Sequence, residues 1–124
     1  MNKPRVYVAG AYGAPNPIQL WSNQRIGIRA AVEVLLEGFI PFCPFIDSSF
    51  FLMLREGEEI TQDCIYEYSL SWLSVSDCVL VIPGWENSKG TIAEIAKAKE
   101  IGIPVFYSMD TLKVWRKKNE EKEN

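Results

Sequence analysis

Apolar residues fall in short continuous runs along this chain, each followed by a stretch of helical periodicity, with glycine and proline at the joints. The first run, Arg5 to Gly10, is rich in β-branched residues and reads as a strand closed by its glycine. Gly10 to Pro17 carries Gly13, Pro15 and Pro17 and reads as a loop. A helix is predicted from Ser22 or Asn23, either of which could cap it, to Glu37. Its buried stripe would be Ile28, Ala31, Val32 and Leu35, and Gly38 stands where a C′ residue belongs. Phe39 to Cys43 reads as a second strand, with Pro41 hinting at a sheet edge. Phe50 to Leu54 would form a short helix or a lid, and the charged run Arg55 to Glu59 a solvated turn. A helix over Thr61 to Ser74 carries Ile65, Leu70, Trp72 and Leu73. It leads to Cys78–Ile82, an unbroken apolar run expected of a strand covered on both faces. Pro83 to Gly90 is a loop before a helix that ends at Ile101 and Gly102. Ile103 to Tyr107 is the last strand and Thr111 to Lys118 a short amphipathic helix, leaving residues 119–124 as a charged, frayed tail.

Strands alternating with helices over 124 residues predict one α/β domain, residues 1–118, on a Rossmann-like or flavodoxin-like doubly wound parallel sheet of about 4–5 strands. Hydrophobic residues at 48% and charged residues at 23% give a globular balance. A net charge of −3 argues against a nucleic-acid partner, which needs a surplus of Lys and Arg. No apolar run approaches the ~20 residues that cross a bilayer, and Met1 to Arg5 carry no signal-peptide pattern. Cys43, Cys64 and Cys78 form no C-x-x-C pair and sit in apolar surroundings. Buried free thiols in a reducing, cytoplasmic setting are therefore expected.

The chain has no histidine, which removes catalytic triads, Cys-His pairs, histidine metal ligands and imidazole acid–base chemistry. Any chemistry must rest on carboxylates, hydroxyls, lysine or cysteine, and no metal or cofactor is expected. Ligands of doubly wound sheets bind beyond the carboxyl ends of the strands. That edge carries the Gly10–Asn16 loop with Tyr12, the stretch Asp47 to Ser49, and Glu86 to Gly90. Asp77 lies at the opposite, amino edge and is expected to be a structural cap or turn residue. Neither G-x-G-x-x-G nor G-x-x-x-x-G-K-[ST] occurs, so no dinucleotide or P-loop site is supported.

Pro83 to Glu94 is the richest segment. Gly84 and Gly90 allow close backbone approach, Ser88 offers a hydroxyl, and the amides opening the next helix favour an anion. Glu94, one turn into that helix, can reach back to the mouth of the sheet, where Tyr7 could hold it. There it would act as a general base, or as a nucleophile at a sugar carbon, whose oxocarbenium-like state a carboxylate stabilises. The structural alternative is a capping box, Thr91-Ile92-Ala93-Glu94, in which Glu94 bonds the Thr91 amide. Ser88 equally fits a turn or cap, Tyr7 a core position, and Trp72 and Trp85 either the walls of a base-stacking pocket or core. Spacing leaves Asp47 and Asp63 unassigned.

Taken together, Val6-Tyr7-Val8-Ala9-Gly10, Leu73 with Ser76-Asp77, Pro83 through Gly90, Glu94, Ala98 and Gly102-Ile103-Pro104-Val105 resemble the nucleoside 2-deoxyribosyltransferase-like superfamily, in its small bacterial and phage form. The resemblance spans Val6 to Val105, and its most specific part is the G-W-E-x-S-x-G-x-x-x-E core. It implies a Rossmann-like domain that cleaves the N-glycosidic bond of (deoxy)nucleosides or their 5′-monophosphates. Glu94 would attack C1′ to form a glycosyl-enzyme, held by Tyr7, with transfer to another nucleobase or to water. Gly10, Tyr12, Asp47, Ser69, Trp85, Ser88 and Gly90 would contact the substrate. A homo-oligomer, dimer or larger, is implied, acting on a small molecule without nucleic acid or membrane.

Serine at Ser88 is typical of relatives that act on 5′-monophosphates. Two features depart from the pattern. Ser69 stands where many members place the aspartate that protonates the base, leaving Asp47 or Asp63 to substitute. The loop after the first strand lacks a phosphate-holding arginine, leaving Arg25 or Lys89. The alternative from another class is a catalytically weak or inactive nucleotide-binding or sensing domain. A second, weaker likeness, of Pro83-Gly84 with Gly90-Thr91 and Glu94 to P-G-G-x-G-T-x-x-E, implies a phosphoribohydrolase-like nucleoside 5′-monophosphate hydrolase.

Overall fold

A computed structural model describes residues 3–123. The apolar runs become β1 (Arg5–Ala9), β2 (Ile40–Phe42), β3 (Cys78–Val81) and β4 (Val105–Phe106), all parallel, in the order β2-β1-β3-β4. This is the strand order of a flavodoxin-like α/β domain, the class that the alternation of elements predicts. The helices are α1 (Pro17–Leu36), α2 (Gln62–Ser74), α3 (Lys89–Ile101) and α4 (Met109–Glu123), and a 3-10 segment, Pro44–Met53, follows β2. Among the described residues, no helix is long and apolar enough to cross a membrane.

Strand period decides which residue faces which layer. Val6 and Val8 of β1, with Cys78, Leu80 and Ile82, pack under α1 and α4 on one face. Tyr7 and Ala9, with Val79 and Val81, pack under Leu73 of α2 and Ile95 and Ala98 of α3 on the other. Because both faces are covered, β1 and β3 are continuously apolar. Pro41 lies on β2, an edge strand, where a missing N–H leaves no inner rung unmade. At the amino edge the Asp77 carboxylate accepts the Arg5 amide at 2.7 Å, a structural tie between β1 and β3.

Several expectations need correction. Helix α1 starts at Pro17, not at Ser22 or Asn23: the Asn16 side chain accepts the Gln19 amide at 2.8 Å, and Pro17 occupies the first turn. The predicted stripe is displaced as well. Gly27, Ala31 and Val34 are buried, whereas Ile28, Val32 and Leu35 are exposed. The cause is Phe45, whose ring lies directly on Gly27, so the helix meets its neighbours along its smallest residues. Phe50 to Met53 is the end of the longer 3-10 segment, and Leu54 follows it in extended conformation. Cys78 is buried, but Cys43 is half-buried and Cys64, at the start of α2, is exposed.

The expected tail is helical through Glu123, while Asn124 lies outside the described residues. Helix α4 is tied down by Arg116, which lies 4.0 Å over the Phe39 ring and donates through Nη1 to the Glu37 carbonyl at 2.6 Å. Lys113 adds a 3.3 Å ion pair with Glu37. Arg116→Ala removes a cation–π contact and a charged hydrogen bond to the end of α1. The expected loss is about 1–2 kcal/mol, read as a lower urea midpoint.

Candidate active site

The carboxyl ends of β1 and β3 open into a cavity of about 750 Å³, a volume suited to a small ligand. Its walls come from the Gly10–Gly13 loop after β1, the 3-10 segment after β2, one face of α2, and the Gly84–Glu94 stretch after β3. Gly84 turns the chain with φ +91°, a left-handed conformation that glycine adopts without strain.

Glu94 projects from the second turn of α3 and accepts a hydrogen bond on Oε2 from the Tyr7 hydroxyl. The capping-box alternative is therefore not what forms. Ser88 is the N-cap of α3, accepting the Thr91 amide at 3.3 Å and sharing a 2.8 Å hydrogen bond with the Thr91 hydroxyl. Glu94 is thus free of the helix end. Burial raises its carboxyl to about 7, with the Tyr7 hydrogen bond pulling the other way. Tyr7 is fully buried, and both burial and the Glu94 charge push its phenol far up, so it stays a neutral donor. The nearby Ser69 hydroxyl partly offsets that rise.

Tyr7 is braced from behind. Its ring stacks on Phe42 at 5.5 Å, and Phe42 stacks on Trp72 at 5.4 Å. The parallel register that sets Tyr7 opposite Phe42 makes this column. Trp72 is therefore a support behind the site and does not line the cavity. Trp85, expected to contact substrate, does not line it either: its ring packs toward the α2/α3 core and lies 5.6 Å from Tyr107.

Gly10, Tyr12, Asp47, Ser69, Ser88, Gly90 and Glu94 all line the cavity, and Tyr7 reaches it through Glu94. Asp47 is buried, its Oδ2 has no hydrogen-bond partner, and burial raises its carboxyl to about 6. Asp63 sits exposed in the first turn of α2, away from the cavity. Lys89 lines the cavity at the start of α3, whereas Arg25 lines a separate groove along α1. Among the described residues, no group of three or more metal-ligating side chains comes together.

Sequence reasoning missed the residues that hold the loops. Gln24 donates through Nε2 to the Phe45 carbonyl at 3.1 Å and to the Ser48 hydroxyl, fixing the 3-10 segment on α1. Asn23 donates to the Tyr12 and Gly13 carbonyls at 3.3 and 3.4 Å, fixing the β1–α1 loop. The signal available was Asn16-Pro17: a cap followed by proline starts the helix early and turns Asn23 and Gln24 into mid-helix residues with free side chains.

Residues 4–107, most of the chain, match the family described as Domain of unknown function (DUF4406). The chain belongs to the DUF4406 family. The matched span of this DUF4406 domain runs from before β1 to just past β4, so it takes in the whole sheet and every wall of the cavity. No curated protein matches the chain.

Proposed function

We propose that this protein cleaves the N-glycosidic bond of (deoxy)nucleosides or their 5′-monophosphates, in the manner of nucleoside 2-deoxyribosyltransferase-like enzymes. The observation that carries the reading is the Glu94 carboxylate, half-buried beside a cavity at the carboxyl edge of β1 and β3 and gripped by the Tyr7 hydroxyl. A carboxylate fixed by one donor leaves its other oxygen to attack C1′, and burial raises its nucleophilicity along with its basicity. The C1′–O bond forms as the C1′–N bond breaks, giving a glycosyl ester on Glu94. A second nucleobase or a water molecule then attacks C1′ and releases Glu94.

The apolar residues Phe51, Ile60 and Ile65 and the aromatic Tyr66 offer a surface for a base. Lys89, beside the amides that open α3, supplies a positive charge suited to a 5′-phosphate. The free thiols support a reducing, cytoplasmic setting.

The test is incubation with free and 5′-phosphorylated (deoxy)nucleosides, with and without an acceptor base, following free base and new nucleoside by chromatography. Base release, together with a glycosyl mass adduct on the Glu94 peptide when a 2′-fluoro arabino analogue slows turnover, is the expected result. Tight binding without release from any substrate would favour a sensing domain and overturn the reading.

A further inference from the structure

We propose that Asp47 is the acid that protonates the departing base, an assignment that rests on the glycosidic reading above. A base expelled from C1′ carries away the bonding pair and needs a proton. The residues nearest Glu94 do not offer one. The Tyr7 proton is committed to Glu94, and the Ser69 hydroxyl, which lines the cavity, is too weak an acid to give its proton up.

Asp47 has the placement the role requires. It is 7% exposed, it lines the same cavity, and its Oδ2 is buried with no hydrogen-bond partner. A buried carboxylate oxygen left unpaired is rare in a folded protein, and a catalytic role is one of the few reasons for keeping one. Asp47 enters from the segment that follows β2 and Glu94 from the helix that follows β3, with β1 between those strands in the sheet. The two carboxyl groups thus approach the cavity from different walls, as attack on C1′ and protonation of the base demand. The segment holding Asp47 is fixed by the Gln24 bonds and by the Phe45 ring against Gly27. Burial raises the Asp47 carboxyl to about 6, so it takes up and gives up a proton close to neutral pH. The reacting form is the one in which Asp47 holds the proton and Glu94 is ionised.

The step balances within the site. As the Glu94 carboxylate forms its bond to C1′, the C1′–N pair moves onto the base and the Asp47 proton passes to a base ring nitrogen. A neutral base and an Asp47 carboxylate result. The attacking water or acceptor base then gives its proton back to Asp47 while Glu94 leaves C1′.

The test compares Asp47→Asn with the wild type on a nucleoside and on the 4-nitrophenyl glycoside of the same sugar, whose phenolate departs without protonation. The expected result, read in the first turnover before the glycosyl ester on Glu94 is released, is base release slowed by about 10²–10³-fold, with nitrophenolate release within a few-fold of wild type. A melting temperature that is not lowered shows that the variant is folded, and Asp47→Ser gives a second variant read in the same way. Equal losses on both substrates, or no loss on the nucleoside, overturn the assignment. Wild type that releases neither product overturns the glycosidic reading itself, and the assignment with it.

Discussion

Glu94→Gln is expected to abolish base release and, at the same time, to make the protein more stable at neutral pH. Loss of a covalent nucleophile lowers turnover by ~10⁴-fold or more, because the remaining groups have no bond to offer C1′. The stability side follows from burial, which raises the Glu94 carboxyl from 4.5 to about 7 in the folded protein. The fold therefore favours the protonated form. Below about pH 4.5 the group is protonated in both states and carries no penalty. Between about 4.5 and 7 the unfolded chain ionises first, and stability falls as pH rises; above about 7 the penalty is complete. Glutamine is neutral throughout, so Glu94→Gln gains about 1–3 kcal/mol at pH 8 and nothing at pH 4. Thermal melts of both proteins at those two pH values measure it. A variant less stable than wild type at pH 8 would show that Glu94 is there to hold the fold.

The second large effect is structural. Alanine in place of glycine inside a helix ordinarily gains about 1 kcal/mol. At Gly27 the added Cβ would overlap the Phe45 ring, and crowding of that kind costs about 1–3 kcal/mol. Crowding wins because an aromatic ring cannot bend aside as a flexible side chain can. Gly27→Ala is thus expected to lower the melting temperature by several degrees. Base release should fall with it, since Asp47 follows two residues after Phe45. Gly90→Ala gives the contrast: it is also helical, faces open space, and gains up to about 1 kcal/mol in the same melt. Opposite signs at two helical glycines test the packing directly; a gain at both would mean that the Phe45 ring yields.

Much of this protein is legible without a structure. The apolar runs at β1 and β3, unbroken because helices cover both faces, define the strands and the α/β class. Strand period alone puts Tyr7 and Ala9 on one face, and the carboxyl-edge rule gathers Gly10, Asp47, Ser88 and Glu94 at one end. The reading failed where one local pattern supports two outcomes. Thr91 to Glu94 satisfies a capping box, yet Ser88 caps α3 because its hydroxyl lies three residues before the Thr91 amide, and Glu94 is left for Tyr7. Trp85 lies within the richest motif and still turns toward the core, since a large apolar ring next to the sheet gains more from burial than from the cavity.

The sequence by itself determined what is periodic or excluded: strands, helices, sheet class, and chemistry without imidazole. Those follow from local sterics, from side-chain alternation and from which groups the chain contains. Only the tertiary structure decided which face of α1 is buried, where the Glu94 carboxylate points, and that Asp47 lines the same cavity with one oxygen buried and unpaired. Each of these depends on contacts between residues far apart in the chain: Gly27 with Phe45, Tyr7 with Glu94, Gln24 with Ser48. Their proximity is set by strand register and helix docking, which no local pattern encodes.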